Sequence, residues 1–144
     1  MKLWFNLMCR DVEAQFAFYR GVFGLPEAEA ARSPIYRAVE TAHFQFGFND
    51  ARAAYGLLGL DGRQPGGETP RATVAYATLM LGSPGAVDAA VQAAQVQGGR
   101  VLKAPFATYY GQWQAVLADP EDNVFRIAAA GLPEGVAAPA LASL

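Results

Sequence analysis

The chain is poor in the residues on which common catalytic sites are built. Its 144 residues include one cysteine and one histidine. With only Cys9, no internal disulfide can form, and its place in an apolar run assigns it to core packing as a small hydrophobe. No Cys/His cluster, Gly-rich phosphate loop or nucleophile elbow occurs. Charge is sparse as well: 17% of residues are charged and the net charge is −2. That balance gives no indication of nucleic-acid or membrane-surface binding. No apolar run approaches the roughly 20 residues of a membrane-spanning helix. The first ten residues carry charged and polar groups without an apolar stretch, so no signal peptide is expected and the expected compartment is the cytoplasm.

What the chain does contain is 53% apolar residues in short patterned runs, which suits one packed domain or two small modules sharing a core. Lys2 to Cys9 alternates as a strand, with Phe5, Leu7 and Cys9 on one face and Trp4, Asn6 and Met8 on the other. Asp11 is placed to cap a helix whose stripe is Val12, Phe16, Tyr19 and Phe23, widened by Phe18 and Val22. Gly24 and Pro26 end it. Strands follow at Pro34–Glu40 and His43–Asn49, the second with three phenylalanines on one face, and a shorter strand is expected near Tyr55–Leu60. Residues 61–70, rich in Gly and Pro, read as a linker.

The pattern then restarts. Arg71–Leu81 reads as a strand, Ser83 as an N-cap, Pro84 as a first helical residue, and Gly85–Gln97 as a helix stopped by Gly98-Gly99. A strand beginning at Val101 leads to a hairpin around Asp119-Pro120-Glu121-Asp122-Asn123. Pro120 pre-sets a turn, Asp119 can accept from backbone N–H groups ahead of it, and Asp122 or Asn123 can take a left-handed conformation. After the turn Val124, Arg126 and Ala128 share one face, and Phe125, Ile127 and Ala129 the other. Strand, capped helix and further strands thus occur twice, and such internal repetition constrains the whole fold. The expected organisation is a single domain over residues 1–130, with module one at 1–60 and module two at 71–130. Residues 131–144 form a tail, docked or loose.

The helix segment from Asp11 to Pro26 (DVEAQFAFYRGVFGLP) resembles the first helix of the glyoxalase/bleomycin-resistance/extradiol-dioxygenase superfamily, the vicinal oxygen chelate proteins. Tyr110-Gly111 with Asp119-Pro120-Glu121-Asp122-Asn123 resembles that superfamily's final hairpin, whose turn commonly reads Asp-Pro-Asp-Gly-Asn; Asp122 departs from the usual Gly. The resemblance spans roughly residues 2 to 130. It implies an α+β fold of two tandem βαβββ modules forming a shared half-open barrel cleft, and a homodimer.

The resemblance further implies four metal-ligand positions in the metalloenzymes of the superfamily, which fall here on Trp4, Gln45, Tyr76 and Arg126. Hard divalent cations take carboxylate, imidazole or amide oxygen. Trp offers no such atom, and Arg brings a permanent positive charge. The expectation is therefore a member without metal or other cofactor. Its ligand-facing residues would be Trp4, Asn6, Gln45, Tyr76, Trp113 and Arg126, with the facing of Trp113's strand left open by the sequence. Aromatic walls with a few converging polar groups suit a small organic ligand, aromatic or anionic, held for sequestration or resistance. The structural alternative for Arg126 is a pair with Glu40, Asp50 or another carboxylate. His43 is the candidate for proton transfer if the protein is instead a lyase or dioxygenase-type enzyme acting on a small carbonyl, thiol-conjugate or aromatic substrate. A third reading is an interaction domain whose cleft has closed. Expected partners are a small molecule and a second copy of the chain, with no nucleic acid and no membrane.

Overall fold

A computed structural model describes residues 2–58 and 75–140. The chain divides into two compact units, Met1–Ala72 and Thr73–Leu144. In the first, strand β1 (Leu3–Cys9) leads into helix α1 (Val12–Phe23). The Asp11 carboxylate accepts from the Ala14 N–H at 2.9 Å, and Gly24 closes the helix at φ 61°, as the sequence predicts. Strands β2 (Tyr36–Glu40) and β3 (Phe44–Asp50) follow. The sheet order is β1-β3-β2, with β1 parallel and β2 antiparallel to β3.

Register sorts the side chains of this sheet. Phe5 pairs with Phe46 and Leu7 with Phe48, and Phe48 pairs with Arg37, so these share the face that α1 covers. There Tyr19 sits edge-on to Phe46 at 4.8 Å between centroids, Phe16 edge-on to Phe48 at 6.2 Å, and Phe46 against Phe48 at 4.8 Å. Edge and tilted contacts of this kind add to the area such rings bury. Cys9 is buried beside them in the core, as its apolar neighbours implied. The opposite face carries Trp4, Asn6, Tyr36, Gln45, Gly47 and Asn49.

The strand expected near Tyr55–Leu60 is instead a helix, α2 (Ala51–Leu57). Asp50 caps it, its Oδ1 accepting from the Ala53 N–H at 3.1 Å, and Ala51, Ala53 and Ala54 are strong helix formers. Gly59 and Leu60, the linker at 61–70 and the start of the Arg71–Leu81 strand lie outside the described residues.

The second unit runs β4 (Ala77–Leu81), α3 (Pro84–Val96), β5 (Arg100–Ala107), β6 (Gln112–Ala118) and β7 (Val124–Ala130). Its sheet order is β4-β7-β6-β5, with only the β4–β7 pair parallel. Ser83 caps α3 through the Ala86 N–H, and Pro84 begins the helix. Val87, Ala90, Val91 and Ala94 of α3 are buried, as are Leu117, Phe125, Ile127 and Ala129 of the sheet. Val96, at the helix end, is exposed. In the β6–β7 turn, Asp122 N–H donates to Asp119 O at 2.9 Å and Asp119 N–H to Asn123 O at 3.0 Å. The Asp119 carboxylate, buried, accepts from the backbone N–H groups of Glu121 and Asn123. Among the described residues Asp122 is the one non-glycine at positive φ, 68°. This is a type I turn followed by a left-handed residue, a common hairpin solution. The tail starts by docking: Gly131 exchanges backbone hydrogen bonds with Gly111 and Trp113.

Candidate functional site

The face of the second sheet that α3 leaves uncovered is built around Arg126. Register places Arg126 beside Thr78 of β4 and Val116 of β6, and Ala128 beside Gln114. The guanidinium Nε donates to Thr78 Oγ1 at 3.0 Å and one terminal nitrogen to the Tyr110 hydroxyl at 3.4 Å. The guanidinium carbon lies 5.4 Å from the centre of the Tyr76 ring. The Tyr110 hydroxyl in turn donates to Gln114 Oε1 at 3.0 Å, so its oxygen lone pair is what faces Arg126. Thr108 braces the loop that carries Tyr110. Its hydroxyl accepts from the Gln112 N–H at 2.8 Å, and its carbonyl accepts from Gly111, which turns at φ 78°.

Every one of these partners is neutral. No carboxylate pairs with Arg126 among the described residues. The carboxylates proposed as structural partners are engaged elsewhere: Glu40 with Lys2, and Asp50 as the cap of α2. The arginine is thus oriented through three contacts while its charge has no counter-ion among the described residues. One guanidinium edge remains for an incoming anion.

The open face of the first sheet is a hydrogen-bonded polar layer. The Tyr36 hydroxyl lies 2.9 Å from Gln45 Oε1 and 3.3 Å from Asn6 Oδ1, and Gln45 Nε2 donates to Glu40 at 3.3 Å. Asn49 also donates to Asn6 Oδ1. Gly47 makes this layer possible, since a Cβ there would stand 2.2 Å from both Asn6 Oδ1 and the Tyr36 hydroxyl. Burial, reinforced by the Glu40 charge, raises the Tyr36 pKa, so the phenol keeps its proton and donates. The hydrogen bond from Lys2 holds the Glu40 carboxyl below its ordinary value. Trp4 stands beside this layer with 59% of its surface exposed.

Of the residues singled out from sequence, Tyr76 and Arg126 are brought together, as are Asn6 and Gln45 through Tyr36. Trp113 does not join them. It pairs with Ala129 in register and its indole N–H donates to Asp88 of α3 at 2.8 Å, which puts it on the helix-covered face. That settles the facing of its strand, which the sequence leaves open, on the side away from Arg126. His43 is exposed in the turn before β3, not within the strand, with its backbone N–H on Thr41 Oγ1. Thr78, Tyr110 and Gln114 were not anticipated. Their role depends on strand register and a loop, neither of which hydrophobic alternation reveals.

The four positions implied as metal ligands carry an indole, an amide, a phenol and a guanidinium. This set does not fit a divalent cation: the Gln45 amide oxygen is taken by Tyr36, Trp and Tyr offer no carboxylate, imidazole or amide oxygen, and Arg126 brings a fixed positive charge in place of a donor atom. Among the described residues no cluster of three or more His, Cys, Asp or Glu side chains offers a substitute. No helix among the described residues is long and apolar enough to cross a membrane.

Comparison with known proteins agrees with this architecture. The sequence profile of the Glyoxalase/Bleomycin resistance protein/Dioxygenase superfamily matches residues 3–127. A crystal structure described as a glyoxalase/bleomycin resistance protein/dioxygenase family enzyme from Burkholderia phytofirmans PsJN is 39% identical, with TM-score 0.77, covering 88% of this chain and 95% of that one. A glyoxalase-related enzyme from Fulvimarina pelagi shares the fold at 19% identity and TM-score 0.74, covering 90% of this chain and 87% of the other. So does a lactoylglutathione lyase from Agrobacterium tumefaciens, at 18% identity and TM-score 0.61, with 90% and 92% covered. No protein of curated function matches. Matched over most of its length by the family profile and by a relative of substantial identity, and built of an α+β arrangement with a helix-backed sheet in each unit, the chain belongs to the glyoxalase/bleomycin resistance protein/dioxygenase superfamily.

Proposed function

We propose that this protein binds a small organic anion, with Arg126 as the charged anchor and without a metal ion, in the manner of a sequestering or resistance protein. The observation that carries this reading is that Arg126, half-buried, is held by Thr78, Tyr110 and Tyr76, all uncharged, with no carboxylate partner among the described residues. A structural arginine is ordinarily neutralised where it packs; one that is oriented but left without a counter-ion is preorganised for an anionic ligand. Tyr76, 53% exposed, adds an aromatic surface against which a planar ligand can lie. In the first unit the exposed indole of Trp4 is assigned to ligand stacking, while Asn6 and Gln45 hold the polar layer beside it.

Isothermal titration of the purified protein with aromatic carboxylates such as benzoate and naphthoate tests the reading. Binding weakened by about tenfold or more in Arg126→Gln, in protein that metal analysis shows to be metal-free, is the expected result. One tightly bound ion per chain would overturn the metal-free part, and binding unaffected by the substitution would overturn the anchor.

A second reading is an enzyme of the same superfamily acting on a small carbonyl, thiol-conjugate or aromatic substrate. It is favoured by the description of the 39% identical Burkholderia protein as a family enzyme. Its test is His43→Ala, since turnover lost with ligand binding intact would assign the proton-transfer role to that histidine. We further propose a homodimer, supported by the exposed Leu3, Trp4 and Phe5 on β1, an edge strand of its sheet; light scattering on the eluting protein checks it.

A further inference from the structure

Arg126 is not the only cation without an ion pair among the described residues on the face of the second sheet that α3 leaves uncovered. Register carries the row from Arg126 through Val116 of β6 to Lys103 of β5. The ladder is irregular between Val101 and Lys103, an extra residue in β5 that sets Lys103 opposite Val116 and so on the same face as Arg126. Lys103 Nζ rests 3.7 Å from the centre of the Phe106 ring, and Phe106 pairs with Gln114, again on this face. Like Arg126, Lys103 lies over an aromatic ring and makes no ion pair among the described residues. No acidic side chain occupies the strand positions of this face. Two strand spacings separate the two cations' backbones, roughly 10 Å. Between them the floor is Val116, with Ala128 and Gln114 beside it.

Two cations, each seated on a ring and separated by a short apolar floor, define a ligand with negative charge at both ends. We propose that the ligand is an elongated organic dianion, a dicarboxylate with a planar apolar centre, whose ends are taken by Arg126 and Lys103. The inference rests on the anion-binding reading of Arg126 and adds Lys103 as a specificity-determining residue. The planar fork of Arg126 suits a carboxylate approached edge-on, whereas the point charge of Lys103 on its flexible stem tolerates variation in ligand length.

Titration calorimetry with a matched pair of probes tests it: biphenyl with a carboxylate at each end against biphenyl with one. The dicarboxylate should bind roughly threefold to fivefold tighter, the gain of one additional solvent-accessible ion pair. In Lys103→Met the ratio of the two affinities should fall to about one, and in Lys103→Arg it should persist. Equal affinities in the natural protein, with both probes still lost in Arg126→Gln, would overturn the dianion and leave the single-anchor reading standing. Failure of both probes to bind would overturn that reading and this one with it.

Discussion

Arg37 and Arg126 stand on β-strands of the two units, and the protein treats them in opposite ways. Arg37 donates to both oxygens of Glu13, at 2.7 and 2.9 Å, and to Glu27 at 2.8 Å. Glu27 also takes a two-pronged contact from Arg32, at 2.8 and 2.7 Å, and its side chain is only 7% exposed. That cluster ties α1 to β2 and the segment before it, and its charges answer one another. Arg126 is fixed as well, yet among the described residues only by hydroxyls and a ring. The difference separates an arginine used for cohesion from one whose charge is left available, and it cannot be seen in either residue's identity. The units differ in their cores too. The first packs Phe16, Phe18, Tyr19, Phe46 and Phe48, whereas the second relies on alanines, valines and single larger residues such as Leu117, Phe125 and Ile127.

The core contrast gives the largest expected effect. Phe48 is fully buried against Phe16, Tyr19 and Phe46, so Phe48→Ala should cost about 3–5 kcal/mol in urea unfolding. Ile127→Val, an equally buried site in the finer-grained core, should cost about 1 kcal/mol. Equal losses from the two would mean that the ring cluster relaxes around its cavity and that the cores are not mechanically distinct.

The arginines give the next. Arg126→Gln should weaken aromatic carboxylate binding by about tenfold to a hundredfold, the range of a charge-assisted contact, while leaving the melting temperature close to that of the natural protein. Arg37→Gln should do the reverse, lowering the melting temperature with ligand affinity unchanged. A melting temperature lowered as much by Arg126→Gln as by Arg37→Gln would assign Arg126 to cohesion after all.

A smaller effect follows from Glu27, whose carboxyl is held below its ordinary value of 4.5 mainly by the hydrogen bond from Arg32, with Arg37 adding to it. The folded protein therefore binds that proton less readily than the unfolded chain does. The stability it contributes is complete above 4.5 and is lost as pH falls through the lower folded-state value. Thermal melts of Glu27→Gln should show a lower melting temperature at neutral pH and a flatter acid flank below that point. An acid flank unchanged from the natural protein would mean that other carboxylates set it.

Much of this arrangement is legible in the sequence because it depends on local chemistry. Asp11, Ser83 and Pro84 mark helix starts, and alternation sorts Phe125, Ile127 and Ala129 from Arg126. The family resemblance names Tyr76 and Arg126 together, and the structure sets the Tyr76 ring against the Arg126 guanidinium beside a parallel strand pair. Elsewhere two local signals compete, or the placement depends on contacts distant in sequence. Asp50 followed by an alanine-rich stretch is a capped helix start, and it outweighed the repeat's demand for a strand at Tyr55. The facing of Trp113 is open in the sequence because it is fixed by pairing with Ala129 and by Asp88 on a helix far away in sequence. Lys103 is not legible in the sequence, because an irregularity in β5 shifts which residues share a face and alternation does not reveal an extra residue.

The smallest effect compares the two hairpin turns. In the β2–β3 turn the Thr41 hydroxyl accepts from the N–H groups of His43 and Phe44, and no residue there has positive φ. In the β6–β7 turn Asp122 holds φ 68° with a side chain that pairs with Arg100, an exposed pair. A left-handed residue with a Cβ is strained, less for Asp than for most, and glycine removes that strain at a cost in unfolded-state entropy. An exposed ion pair gives little in return. Asp122→Gly should therefore stabilise the protein by about 0.5 kcal/mol, read as a rise in the urea midpoint with an unchanged slope. Ala42→Gly in the first hairpin has no strain to relieve and should destabilise by a similar amount, about 0.5 kcal/mol. Opposite signs at the two turns are the expected outcome. A loss at both would show that Asp122's side chain contributes more to the hairpin than its backbone strain removes.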